Sequence, residues 1–240
     1  MVFNPSLAMS HGLVPCPARP SHVSPWLAPF VYQLGSKVVL PSYFDKIEVS
    51  GQENLPRRGP VVLAPTHQAR WDSLLVAHVA NEATGRYLRF MVTADECVGL
   101  QGWVIKHLGG FPVNVQRPAI ATLRHGVELL RQQQMLVIFP EGNIFRDGQV
   151  HRLKPGLARL ALQAQQSSLD RVKVVPMSLQ YDRPYPTCGS SVHIRIGAPL
   201  EVFDYRQGNL KARAKLLTAD LQTALEALSG VAAPQPVVLV

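Results

Sequence analysis

The sequence predicts an α/β fold: a single domain built on a mixed, largely parallel sheet of about seven strands with helices on both faces. Three observations predict it. At 240 residues, 47% of them hydrophobic and 17% charged, the chain has enough apolar mass for one substantial core and fits one domain better than two. From Trp26 onward, short β-branched runs alternate with segments of helical period. The intervening helices are long enough to carry the chain back across a sheet, and the one beginning at Pro118 has a clear apolar stripe, Ile120, Leu123, Val127 and Leu130.

Residues 1–25 hold five prolines with scattered serine and glycine, so an extended or disordered tail is expected before the domain proper, 26–230. Trp26, Leu27, Phe30, Val31, Leu34 and Val38 recur at helical spacing, with Pro29 tolerable in a first turn. Such a helix suits either a membrane surface or the domain's own core. Strands are expected near Lys46–Ser50, Pro60–Ala64, Tyr87–Thr93, Phe111–Val115, Met135–Phe139, Val172–Gln180 and Val192–Gly197. Helices are expected near Asp72–Asn81, Gly99–Leu108, Pro118–Gln133 and Pro155–Gln166, and Asp204–Ser229 reads as a long amphipathic helix that closes the fold. The tail 231–240 is uncharged and apolar, suited to docking on the domain or on a membrane.

The net charge of +8 comes mainly from arginine, 17 Arg against 7 Lys, a side chain whose planar fork binds phosphate and carboxylate in pairs of hydrogen bonds. Anionic partners are therefore expected. Nucleic acid is not among them, because no helix carries a basic stripe interleaved with aromatics. Cys16, Cys97 and Cys188 are odd in number and widely spaced, with no Cys-x-x-Cys or His-Glu-x-x-His pattern, which fits a reducing compartment and points to no metal. The N-terminus lacks the early positive charge and continuous apolar core of a secretory signal. The uncharged runs 1–18 and 20–36 are too short and too broken by proline to span a bilayer, which needs about 20 apolar residues. A serine hydrolase is disfavoured by the absence of a Gly-x-Ser-x-Gly elbow.

The chemistry concentrates in four blocks. The first is Thr66-His67-Gln68-Ala69-Arg70-Trp71-Asp72, which follows the buried strand ending at Pro65 and precedes a helix. Residues five apart on a regular helix diverge by about 140°, so His67 meets Asp72 only from the turn before the helix. The second block, Met135-Leu136-Val137-Ile138-Phe139-Pro140-Glu141-Gly142-Asn143-Ile144-Phe145-Arg146-Asp147-Gly148, delivers Glu141 and Gly142 at the carboxyl end of a strand, where open α/β sheets bind their ligands. Gly142 allows close backbone approach to a ligand, and Arg146 is suited to clamp an anion. The third is Gly109-Gly110-Phe111-Pro112-Val113-Asn114-Val115-Gln116-Arg117, with glycines entering a strand and an arginine leaving it. The fourth is Val174-Val175-Pro176-Met177-Ser178, a strand interrupted by proline.

In this order and spacing the blocks resemble the glycerolipid acyltransferase family, best known for its 1-acylglycerol-3-phosphate acyltransferases. The resemblance covers about Ile47 to Pro199, including Gly51-Gln52-Glu53-Asn54-Leu55-Pro56 and Lys154-Pro155-Gly156. It implies His67 as general base, Asp72 as its partner, Glu141 and Gly142 in the acceptor site, and Arg117 as a contact for the acceptor's phosphate. This chain departs from the family pattern in having Thr66 for the usual asparagine and Ala69 for a common serine. Arg117 also lies further from Phe111, and Asn143-Ile144-Phe145 separates Gly142 from Arg146.

The implied reaction moves a fatty acyl group from a thioester, acyl-carrier protein or acyl-CoA, to the hydroxyl of a lysophospholipid, 1-acylglycerol-3-phosphate first. It proceeds at a membrane surface and needs no cofactor. An alcohol needs a base to become a competent nucleophile, whereas a thiolate leaves without much acid assistance, so one base suffices. Backbone N–H groups at the start of the helix after His67, or around Gly142, are the expected oxyanion donors. A different lyso-lipid or a glycolipid acceptor is the alternative, and a non-catalytic anionic-lipid-binding protein a further one. The expected location is cytoplasmic, peripheral on the inner face of a membrane.

Overall fold

The structure is a computed structural model and describes residues 22–93, 97, 99–113 and 120–230. The expected C-terminal tail and nearly all of the N-terminal one lie outside these residues, as does Arg117. The last residues of the N-terminal tail are docked: Val23 bridges to Leu108, and the Ser24 N–H donates to the His107 carbonyl at 2.8 Å.

Eight strands form one sheet: β1 (Phe44–Ser50), β2 (Val61–Pro65), β3 (Leu88–Thr93), β4 (Gly110–Val113), β5 (Met135–Val137), β6 (Lys173–Tyr181), β7 (Ser190–Ile196) and the two-residue β8 (Leu200–Glu201). The order is β1-β7-β6-β2-β5-β3-β4, with β8 pairing the start of β6. Pairing is parallel except for β6 with β7 and with β8. The mixed, largely parallel sheet of the sequence is thus observed; β8 escaped notice because two residues carry no period.

Alternation along the central strands divides the core in two. Val62 and Ala64 of β2, Leu136 of β5 and Val174 of β6 face one cluster, together with α5 (Ile120–Arg131), α6 (Gly156–Ser167) and α7 (Leu210–Gly230). Val61, Leu63, Met135, Val137, Val175, Met177 and Leu179 face the other, against α3 (Asp72–Thr84). All five residues of β2 are buried, which is why its sequence is apolar without interruption. On the second face lies a helical arm, α1 (Leu27–Leu34), continued by a π-helical turn, Gly35–Val39, into α2 (Leu40–Tyr43). Finally, α4 (Gly99–His107) leads into β4.

The closing helix starts later than its sequence suggests. Val202–Asp204 is a 3₁₀ turn, Gly208 has φ 85°, and the Asn209 side chain caps α7 by accepting the Ala212 N–H at 2.9 Å. Likewise α5 stops at Arg131 rather than Gln133, where the backbone turns left-handed at φ 58°.

The turn after β1 is the tightest constraint at the sheet's edge. Gly51 has φ 77°, and a Cβ there would sit 2.0 Å from the Ile196 carbonyl oxygen, the same atom that accepts the Asn54 amide at 2.9 Å. Gly51→Ala is expected to destabilise the fold by about 2 kcal/mol or more, read as a lower urea midpoint; an unchanged midpoint would show that the turn relaxes freely.

Candidate active site

The first two blocks meet at the carboxyl ends of β2 and β5, and the fourth lies in the neighbouring β6; of the third, Gly110 and Val113 line the cavity that His67 also lines, and 114–117 lie outside the described residues. Thr66 extends β2 toward β6: its N–H donates to the Met177 carbonyl at 2.9 Å, and its hydroxyl accepts the Leu179 N–H at 2.9 Å. A buried hydroxyl that ties two strand exits together accounts for a threonine at this position. It fixes the chain as it leaves the sheet, and His67 follows in the turn before α3.

The His67 Nδ1 lies 2.9 Å from Asp72 Oδ2. Asp72 is the first residue of α3, is fully buried, and its Oδ2 also accepts the N–H groups of Gln68 at 2.7 Å and Ala69 at 2.8 Å. Its other oxygen, Oδ1, accepts the Tyr181 phenol at 2.5 Å. Since a carboxylate only accepts, Nδ1 carries the imidazole proton and Nε2 keeps the free lone pair. The ring stacks on Phe139, centroids 4.0 Å apart at 23°, which holds its plane.

Glu141 stands behind the same loop. Its carboxyl is buried and accepts the backbone N–H of His67 at 3.4 Å and of His151 at 3.3 Å, so it braces the backbone that carries the imidazole. Burial pushes this carboxyl above its ordinary range, opposed by those two N–H donors. The His67 carbonyl in turn accepts the Phe145 N–H at 2.8 Å, which joins the first two blocks. Gly142 has φ 68°, and a Cβ there would meet Lys154 Nζ at 2.6 Å. What approaches the glycine backbone is therefore a lysine side chain of the protein itself.

His67 lines a cavity of about 910 Å³, near the upper end of the ~300–1,000 Å³ usual for ligand sites. Its walls are mostly apolar: Val31 and Tyr32 of α1, Leu74 and Ala77 of α3, Phe90 of β3 and Leu157 of α6 among them. Three cations line it too, Arg70, Lys154 and Arg159. Of the residues singled out by sequence, His67 and Gly142 line the cavity, while Asp72 and Glu141 support it from behind. Arg146 lies over the Tyr185 ring at 5.0 Å and is not among the lining residues. Near the expected oxyanion sites, the N–H groups of Gln68 and Ala69 are engaged by Asp72, and that of Gly142 by the Phe139 carbonyl at 3.2 Å.

Sequence reasoning missed Tyr181 and gave no role to Lys154, Arg159 or Arg70. Arg70 lies inside the first block and Lys154 in the Lys154-Pro155-Gly156 run, whereas Tyr181 and Arg159 stand in no motif.

A two-sided α/β sheet that presents a carboxylate-steered imidazole at the head of a largely apolar cavity defines the class of this protein. Residues 46–180, more than half of the chain, match the Acyltransferase family, and the chain belongs to it. It is 26% identical over 154 residues to the chloroplastic 1-acyl-sn-glycerol-3-phosphate acyltransferase of Arabidopsis thaliana, covering 62% of this chain and 40% of that protein. It is 28% identical over 151 residues to mitochondrial glycerol-3-phosphate acyltransferase 1 of Mus musculus, covering 58% and 18% respectively. With the 1-acyl-sn-glycerol-3-phosphate acyltransferase of Pseudomonas aeruginosa the identity is 24% over 147 residues, 60% of this chain and 53% of that one. The chain thus spans about half or less of the length of these relatives. The fold is that of the 1-acyl-sn-glycerophosphate acyltransferase of Thermotoga maritima, with TM-score 0.62 and 21% identity over 86% of this chain and 81% of that one.

The buried carboxylate generates a stability prediction. Asp72→Ala leaves the Gln68 and Ala69 N–H groups, the Tyr181 hydroxyl and the imidazole N–H without their acceptor, and is expected to cost about 2–4 kcal/mol by urea denaturation. A loss within experimental error of zero would mean that this carboxylate does not organise the loop.

Proposed function

We propose that this chain transfers a fatty acyl group from a thioester donor, acyl-carrier protein or acyl-CoA, to the free hydroxyl of 1-acylglycerol-3-phosphate, a step of phospholipid biosynthesis. The observation that carries the reading is the 2.9 Å pair of His67 and Asp72 at the head of a largely apolar cavity. His67 Nε2 takes the hydroxyl proton as the oxygen attacks the thioester carbon, and Asp72 stabilises the imidazolium that forms. The tetrahedral intermediate then expels the thiolate, and the acyl chains occupy the apolar walls.

Arg70, Lys154 and Arg159 supply positive charge in the same cavity, which suits an acceptor with an apolar chain and an anionic head. Lys154, lying against Gly142 beside the catalytic loop, is the cation we assign to the acceptor's phosphate. Glu141 and Gly142 shape the acceptor site, one by bracing the His67 backbone, the other by leaving space for that lysine. Relatives named for 1-acylglycerol-3-phosphate and for glycerol 3-phosphate acylation support a phosphate-bearing acceptor. A second reading keeps the donor and changes the acceptor to another lyso-lipid or a glycolipid. The placement of Arg146 on Tyr185, away from the cavity walls, favours it.

On either reading the enzyme works at the cytoplasmic face of a membrane as a peripheral protein. Among the described residues no helix is long and apolar enough to cross a bilayer. Yet Trp26, Phe30, Leu34 and Val38 are exposed at intervals of four along the α1 arm, while Val31, Tyr32 and Ser36 of the same arm line the cavity. A helix apolar outside and cavity-lining inside suits a lipid acceptor that arrives from the bilayer.

With radiolabelled 1-acylglycerol-3-phosphate and each thioester donor in turn, wild-type protein is expected to form acylated product, and His67→Ala to lose about 10³-fold or more in kcat/KM. Full activity of His67→Ala would remove the mechanism. Lys154→Ala is expected to raise KM for the phosphate-bearing acceptor about tenfold or more while sparing a phosphate-free lyso-lipid. Equal losses on both acceptors would contradict the phosphate assignment.

A further inference from the structure

Tyr181 sits in β6, on the far side of Asp72 from His67, and has no part in the mechanism above. Its phenol O–H donates to Asp72 Oδ1 at 2.5 Å, and its ring packs against Phe44, centroids 6.2 Å apart at 29°. Phe44 and Tyr43 close on Trp71, the residue preceding Asp72, with centroids 5.6 and 4.1 Å apart. These aromatic rings keep water from the carboxylate, and in such surroundings each hydrogen bond to it weighs more than in solvent. Burial, and then the charge of Asp72 beside it, hold the Tyr181 phenol far above an ordinary tyrosine, so the phenol remains a donor at every working pH.

We propose that Tyr181 is a positioning residue that holds Asp72 in place and tempers the basicity of His67, because the phenol draws to Oδ1 part of the charge that Oδ2 presents to the imidazole. The proposal rests on the reading of His67 as the base. The logic is electrostatic: a carboxylate whose charge is shared with a phenol stabilises an imidazolium less than one whose charge is left to the imidazole alone. The other ionisable groups around the pair are Glu141, which reaches the His67 backbone from the loop after β5, Arg70 at the entry to α3, and Tyr43 of α2 beside Tyr181. Glu141 bonds to the backbone of His67, whereas Oδ1 accepts the phenol, so Tyr181→Phe removes that bond and keeps the ring.

The test is the pH profile of kcat/KM for acyl transfer by the full chain. Tyr181→Phe keeps the ring and deletes the donor. It is expected to move the acid limb of the profile to higher pH by about half a unit or more, and to lower kcat about tenfold with acceptor KM unchanged. Tyr181 replaced by 3-fluorotyrosine keeps the ring and sharpens the donor; it is expected to move the same limb the opposite way. That variant carries the test if Tyr181→Phe fails to fold. Limbs that superimpose on wild type in the folded variants, whatever their height, would overturn the proposal, since a residue that only fills space leaves the profile's shape alone. The two failures are distinct: an inert His67→Ala with unmoved Tyr181 profiles sinks only this inference, whereas an active His67→Ala sinks the base itself.

Discussion

The site depends on one carboxylate. Asp72 is fully buried at the first turn of α3 and accepts four hydrogen bonds, from the His67 ring, two successive backbone N–H groups and the Tyr181 phenol. A buried carboxylate without such partners would be prohibitively costly, and with them it organises everything within reach. It curls the loop from Gln68 to Ala69 back on itself and fixes the tautomer of the imidazole. The amino end of α3 adds a favourable dipole for the same charge.

The sheet supplies what the carboxylate cannot. Parallel β2, β5 and β6 bring to one edge segments far apart in sequence: the loop of His67, the loop of Glu141 and the strand of Tyr181. Thr66 locks the first to the third, and Glu141 locks the first to the second. Because both faces of β2 are packed, the strand has little freedom to slide, and the imidazole inherits that rigidity. The cavity beside it has the opposite character, a largely apolar wall made of several elements. The arms and helices α1, α3 and α6 provide this wall.

Much of the arrangement was legible in the sequence, and the parts that were not share a cause. His67 and Asp72 stand five residues apart after a strand, so local geometry decides their meeting. The seven main strands showed because β-branched runs bounded by proline and glycine leave a strong local pattern. Tyr181, by contrast, lies 109 residues from Asp72 and announces itself by no spacing. Lys154 and Gly142 meet through a loop whose path only tertiary packing sets. Arg146, an expected anion clamp by its place in the motif, stands over the Tyr185 ring, a contact that no spacing in the sequence announces. The Gln68 and Ala69 N–H groups, just before α3, are taken up by Asp72, a use of the backbone that the sequence does not announce.

The most direct test of this account is the tautomer of His67 in the resting protein, read by ¹⁵N NMR of labelled imidazole above its titration. The proton is expected on Nδ1, with the Nε2 lone pair free toward the cavity, and Asp72→Asn is expected to disturb that preference. A neutral ring protonated on Nε2 in the wild type would contradict the claim that Asp72 steers the base.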